Sequence, residues 1–160
     1  MQSNELQARI ARSVAQHHKS MLRLAFAYVR STQDAEDVAQ EVFLSYFRMA
    51  PMFESAEHEK AWLLRATINR CKNLLKSGWH KSRNPLPEQL GAQSSAQSAL
   101  LSEVLALDEA YRLPIHLHYY EGYSLKEIGE LLGEKPATIG TRLARGREQL
   151  KHALGGIENV

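Results

Sequence analysis

The stretch SLKEIGELLGEKPATIGTRLARGREQL, Ser124 to Leu150, decides the fold of the chain's C-terminal part. Ser124 and Glu127 have the spacing of a capping box, in which a serine hydroxyl and a glutamate three residues on satisfy each other's backbone amides at a helix start. Ile128, Leu131 and Leu132 follow as an apolar face. Gly133 supplies a stop. Pro136 suits the first turn of a second helix, where the N–H it lacks would be unpaired anyway. That helix carries Ile139, Leu143, Gly146 and Leu150 at spacings of 4, 3 and 4, a single buried stripe. Two helices joined by a short glycine-containing turn predict a helix-turn-helix, whose second helix enters a DNA major groove. An ordinary helical hairpin shares this local pattern, so the rest of the chain must separate the two.

With that stripe inward, Thr138, Thr141, Arg142, Arg145 and Gln149 face outward. Arginine is the commonest reader of guanine edges, and a threonine in the first turn suits a phosphate. Gly140 and Ala144 have no side chain that reads a base. Gly140 is expected on the outward side, and Gly146 on the packed side, where a small residue lets helices approach.

Working towards the N-terminus, helices are expected at about Ala99–Tyr111 and Pro114–Tyr120. Before them, Asn84–Ser98 combines two prolines, a glycine, serines and one charge, Glu88, and reads as a linker. Three longer helices precede it. The first spans about Leu6–Val29. The second spans about Asp34–Met49, with Ala35, Val38, Ala39, Val42, Phe43, Tyr46 and Phe47 on its apolar side. The third spans about Glu57–Ser77, with Ala61, Leu64, Ile68, Cys71 and Leu75 inward. The expected architecture is all-α: two small helical domains, 1–82 and 100–155, joined by a flexible linker at 83–99, with the helix-turn-helix in the second.

The net charge of +2 hides a block pattern. From Ser31 to Glu59 there are seven acids and one base, Arg48; from Lys60 to Arg83 there are seven bases and no acid. Opposite blocks suggest different partners for different surfaces. The hydrophobic fraction of 44% is that of a folded soluble chain. A single cysteine, Cys71, excludes an internal disulfide framework. No apolar run approaches the roughly 18 residues of a membrane span, and the N-terminus lacks a signal-peptide core. A cytoplasmic location is expected.

Two further surfaces stand out. On the second helix, Asp37, Gln40, Glu41, Leu44 and Arg48 line the polar side, and a leucine flanked by acids has the form of a protein dock with one apolar anchor. A solvated helix with one stray leucine fits equally well. On the third, Trp62, Arg65, Asn69, Lys72 and Lys76 lie at spacings of 3, 4, 3 and 4, followed by Trp79, Lys81 and Arg83. Bases interleaved with aromatics suit single-stranded nucleic acid, since charge tracks the backbone and rings stack on bases. Taken alone, Trp62 is better read as a core residue. No catalytic pattern is found. Gly155-Gly156 precedes no Lys-Ser/Thr pair. His116 and His118 are two apart, as His17 and His18 are adjacent, so neither pair can share a metal from one helix face. Cys71 falls on an inward face. No cofactor, metal or small-molecule substrate is expected.

DAEDVAQEVFLSYF (Asp34–Phe47), KAWLLRATIN (Lys60–Asn69), HYYEGYSLKEIGELL (His118–Leu132) and ATIGTRLARGREQL (Ala137–Leu150) stand in this order along nearly the whole chain. Together they resemble bacterial sigma-70-type sigma factors, and the size and layout resemble the extracytoplasmic-function (ECF) group. The resemblance implies a non-enzymatic factor that binds core RNA polymerase and promoter DNA and directs initiation through the −10 and −35 elements. It implies polymerase docking by Asp37, Gln40, Glu41 and Leu44. It implies −10 recognition by Trp62, Arg65, Asn69, Lys72 and Lys76, with the loop Phe53–Glu59 holding a flipped base. It implies −35 recognition by Thr138, Thr141, Arg142 and Arg145, and a linker threaded through the polymerase cleft. An anti-sigma factor, membrane-anchored ones included, is a further implied partner. The chain departs from the family pattern at Gly140 and Ala144, where Lys or Arg and an aromatic or His are common. Its loop is unusually acidic at Glu54, Glu57 and Glu59, and its linker is nearly uncharged. Two rivals remain: a stand-alone helix-turn-helix regulator, and a sigma-like decoy that binds polymerase or an anti-sigma factor without directing transcription.

Overall fold

The structure, a computed structural model, describes residues 2–77 and 102–153. The expected linker at 83–99 lies outside the described residues, as do Trp79, Lys81 and Arg83. Regular structure among the described residues is entirely helical. The chain divides into two compact units, Met1–Arg83 and Asn84–Val160.

The first unit packs α1 (Gln2–Val29), α2 (Thr32–Met49) and α3 (Ala56–Ser77) against one another. Ser31 caps α2: its hydroxyl accepts from the Asp34 amide at 3.2 Å. Ala50 ends α2 in the left-handed conformation, φ 44°, with its N–H on the Tyr46 carbonyl. The heptad-like apolar positions do what their spacing requires. Met21, Leu24, Ala25 and Tyr28 of α1 meet Ala35, Val38, Ala39, Val42 and Tyr46 of α2, and Leu63, Leu64, Ile68 and Cys71 of α3 complete the core. Burying one such leucine or isoleucine stabilises the fold by about 1.5–3 kcal/mol. Phe47 is an exception, being 45% exposed. At about 100° per residue it is rotated out of the arc that Tyr46 occupies.

In the second unit the helix boundaries correct the sequence reading. The helices expected at 99–111 and 114–120 are differently divided. Residues 102–106 are helical, the chain breaks at Leu107 and Asp108, and α4 runs from Glu109 to Ile115. Asp108 opens α4 with its carbonyl, which accepts from the amides of Tyr111 and Arg112. The buried Arg112 donates back across the break to the Leu107 carbonyl at 2.7 Å. Pro114 therefore sits inside α4 rather than in a first turn. The helix continues from it as a π-helical turn, His116–Tyr120, consistent with proline removing a regular backbone bond.

The helix-turn-helix is as expected. The capping box of α5 (Leu125–Leu132) is complete, with Ser124 Oγ accepting from the Glu127 amide and Glu127 Oε1 from the Ser124 amide. Gly133 ends it at φ 72°. Pro136 starts α6 (Pro136–Ala153), and Ile139, Leu143, Gly146 and Leu150 are its buried residues. A Cβ on Gly146 would meet Ile115 Cγ1 at 3.1 Å, so this glycine does allow a close helix approach.

Candidate nucleic-acid and protein interfaces

Three rings of the first unit build one cluster. Tyr46, Phe53 and Trp62 meet edge to face, with centroids 5.7–5.9 Å apart. His58 adds a fourth ring against Phe53 at 5.3 Å. Trp62 is thus half-buried and packs on the core through Tyr46 while still bordering the loop 50–55. Its two sequence readings, core and surface, are both partly right. Beyond it on α3, Arg65, Asn69, Lys72 and Lys76 are all exposed along one stripe.

The expected acidic loop Phe53–Glu59 is loop only up to Ser55, since Glu57 and Glu59 fall in the first turn of α3, and there Glu59 has a structural use. The Tyr46 hydroxyl donates to Glu59 Oε2 at 2.6 Å. Burial, then that hydrogen bond and the carboxylate's charge, push the Tyr46 phenol up to about 12, so it stays a donor. His17 Nε2 lies 3.9 Å from Glu59 Oε1. Burial lowers the His17 pKa, outweighing the carboxylate, which acts in the other direction. From α1, Arg9 spreads over the Tyr46 ring at 5.4 Å. Arg9, Arg12 and Gln16 together with the loop residues Met52 to Ala56 line an open pocket beside the ring cluster. Sequence spacing gave Arg9 no role, since its partners lie in another helix and a loop.

The face of α2 carries Asp37, Gln40 and Leu44 in the open, Leu44 being 44% exposed. Glu41 is different. Arg48 lies 3.9 Å and Arg70 3.3 Å from its Oε2, so its charge is partly answered within the unit. A cleft between α2 and α3, lined by Asp37, Glu41, Arg70, Asn73 and Leu74 among others, adjoins this face. Phe47, Met49 and Met52 extend the exposed apolar surface past Leu44.

On α6 the four residues singled out are not equivalent. Arg145 is exposed, without a partner among the described residues. Arg142 is half-buried, its Nη2 3.5 Å from Glu134 Oε1 in the turn. Thr138 is half-buried, and Thr141 is exposed with its hydroxyl donating to the Ala137 carbonyl at 3.2 Å. Arg147 Nη1 donates to the Tyr119 hydroxyl at 2.9 Å. Gly140 departs from expectation. A Cβ there would lie 3.1 Å from Leu125 Cδ2, so Gly140 faces the start of α5 rather than open groove.

Comparison with known proteins agrees with this arrangement. Residues 14–81 match the family described as Sigma-70 region 2, and residues 97–150 that described as Sigma-70, region 4. RNA polymerase sigma factor CarQ of Myxococcus xanthus is 30% identical over 139 residues, covering 81% of this chain and 80% of its own. ECF RNA polymerase sigma factor SigE of Mycolicibacterium smegmatis is 30% identical over 88% of this chain, which spans only 60% of that protein. Among solved structures, the sigma factor RpoE in complex with the anti-sigma factor NepR, from Bartonella quintana, shares the fold with a TM-score of 0.76 at 19% identity, covering 93% of this chain and 98% of its own. CnrH in complex with the cytosolic domain of CnrY does so with a TM-score of 0.68 at 22% identity, covering 96% and 94%.

Proposed function

The chain belongs to the sigma-70 family of RNA polymerase sigma factors, with ECF members among its relatives, and from that premise we propose how its surfaces divide the work of promoter-specific initiation. Residues 1–82 form the unit that docks on core RNA polymerase and opens the −10 element. Residues 100–155 form the unit that reads the −35 element, and 83–99 connect them. The family is one of non-enzymatic initiation factors, and the chain performs no chemistry: it lends binding energy and specificity to the polymerase's reaction.

Docking uses Asp37, Gln40 and Leu44, with Glu41 contributing once Arg48 and Arg70 yield. The apolar anchor between acids supports this reading. Opening of the −10 element uses Trp62, Arg65, Asn69, Lys72 and Lys76. The observation that carries the assignment is the join between the Tyr46–Phe53–Trp62 ring cluster and the exposed basic stripe of α3. The half-buried rings of Phe53 and Trp62 supply stacking for displaced bases, worth about 1–3 kcal/mol each, and the cations follow the strand. Extruding a base costs a few kcal/mol, which stacking and polymerase contacts offset. Reading of the −35 element uses Thr138, Thr141, Arg142 and Arg145. An anti-sigma factor is an expected regulator, as the similar sigma factor RpoE is solved in complex with the anti-sigma factor NepR. A cytoplasmic location follows from the polymerase partner.

Transcription in vitro with core polymerase tests the whole proposal. A specific start site that depends on both promoter elements is the expected result. Core binding without any start site would establish a decoy instead. Sequence-specific duplex binding without polymerase, and no start site with it, would establish a stand-alone regulator.

A further inference from the structure

The turn of the helix-turn-helix presents Glu134, a residue that spacing alone leaves without a role. Its backbone is held tightly. The Gly133 and Glu134 amides both run to the Gly129 carbonyl, the second at 2.9 Å. A Cβ on Gly129 would lie 2.5 Å from the Glu134 carbonyl oxygen, so only glycine lets the turn close this far. From this fixed base the Glu134 carboxylate reaches forward to Arg142, Oε1 to Nη2 at 3.5 Å, with both side chains only about a third exposed, at 38% and 30%. Arg147 is drawn back to Tyr119 within the same unit, and Arg145 has no partner among the described residues. Of the three arginines on α6, Arg142 is the one the turn aims.

A part-exposed ion pair adds little to stability. A carboxylate on a face that approaches DNA also repels phosphates, so it weakens binding to every sequence alike. Its benefit must then lie in discrimination. Arginine pairs with guanine O6 and N7, and a carboxylate accepts from the cytosine N4 amino group. Glu134 uses one oxygen on Arg142 and leaves the other available.

We propose that Glu134 is a positioning and specificity residue for −35 reading: it fixes the Arg142 guanidinium towards a guanine, and its second oxygen selects a cytosine beside that guanine. The inference rests on the proposed reading of the −35 element by α6. Holding the guanidinium in advance cuts the ordering cost of binding, and the repulsion is offset only on duplex that offers the cytosine amino group, which leaves non-cognate duplex disfavoured.

The test is transcription by the reconstituted holoenzyme from a promoter library randomised over the upstream element, comparing the parent with Glu134→Ala, Glu134→Gln and Arg142→Ala. Arg142→Ala should lose the guanine preference. Glu134→Ala should keep the parental melting temperature and core affinity while relaxing preference at the guanine and the neighbouring cytosine, each by about tenfold, the size of one good base contact. Its binding to random duplex should rise. Glu134→Gln, which keeps an acceptor oxygen without the charge, should retain more cytosine preference than the alanine variant. If Arg142→Ala changes the base profile and Glu134→Ala leaves it parental, Glu134 is only a surface charge and the inference fails. If Arg142→Ala itself leaves the profile unchanged, base reading by Arg142 fails first, and the role of Glu134 with it.

Discussion

At the scale of single residues, chemically alike side chains have been given different work. Arg142 and Arg145 share one side of α6, about 60° apart on a helical projection, yet one is tied to the turn and the other is not. Arg142→Ala should weaken discrimination at one −35 position by about 1–3 kcal/mol, measured as the ratio of transcription from matched and mismatched promoters. Loss of Arg145 should instead weaken binding evenly across sequences, as expected of a phosphate contact. A second pair of roles meets at Glu59, which accepts from Tyr46 and faces His17. The His17 pKa in the fold is lowered from the ordinary 6.5 by burial. The unfolded chain therefore takes up the proton more readily. This contribution to stability is present above about pH 6.5 and is lost as pH falls from there through the lowered value. Thermal melting followed between pH 7.5 and pH 5 should show a drop that His17→Gln reduces. An equal drop in that variant would place its cause elsewhere.

At the scale of elements, caps and glycines set where helices begin and how near they come. The Ser124–Glu127 box satisfies two amides that α5 would otherwise leave to water. Ser124→Ala should cost about 1 kcal/mol in denaturant unfolding of the full chain. Gly129 is the harder constraint, because the clash a Cβ would meet is with backbone, not with a flexible side-chain end. Gly129→Ala should therefore destabilise more than Gly140→Ala, whose nearest neighbour is the tip of Leu125. Equal unfolding midpoints for the two would contradict the packing of the turn. The π-helical turn after Pro114 belongs to the same scale: the His116 amide still reaches the Arg112 carbonyl in the ordinary register, and the wider register enters where the Glu121 amide bonds the His116 carbonyl at 3.2 Å.

For the whole molecule, the exposed acids of α2 and the exposed bases of α3 stand on different helices of one three-helix unit, and the helix-turn-helix belongs to the second unit. Docking and DNA reading should then be separable by mutation. Leu44→Asp, at a position 44% exposed, should leave the unfolding free energy within about half a kcal/mol of the parent and sharply reduce binding to core polymerase. Lys72→Ala paired with Lys76→Ala should do the reverse, sparing core binding and slowing promoter opening. A Leu44 variant that binds core normally would remove α2 from the dock. Much of this was already present in the order of residues. The period of Ala35, Val38, Ala39, Val42 and Tyr46, the Ser124 box and the Gly133–Pro136 punctuation determine helices, caps and buried faces, because each is a local rule acting within one or two turns. The stripe on α3 was legible for the same reason. What only the tertiary structure decided is pairing between distant segments: Arg9 over Tyr46, Glu59 on the Tyr46 hydroxyl, Gly140 against Leu125, Glu134 aiming Arg142. Periodicity assigns a residue to a side of its own helix. Which group waits on that side depends on how a turn bends and how closely a neighbouring helix packs, and in the second unit Gly129 and Gly146 set those distances by what they lack.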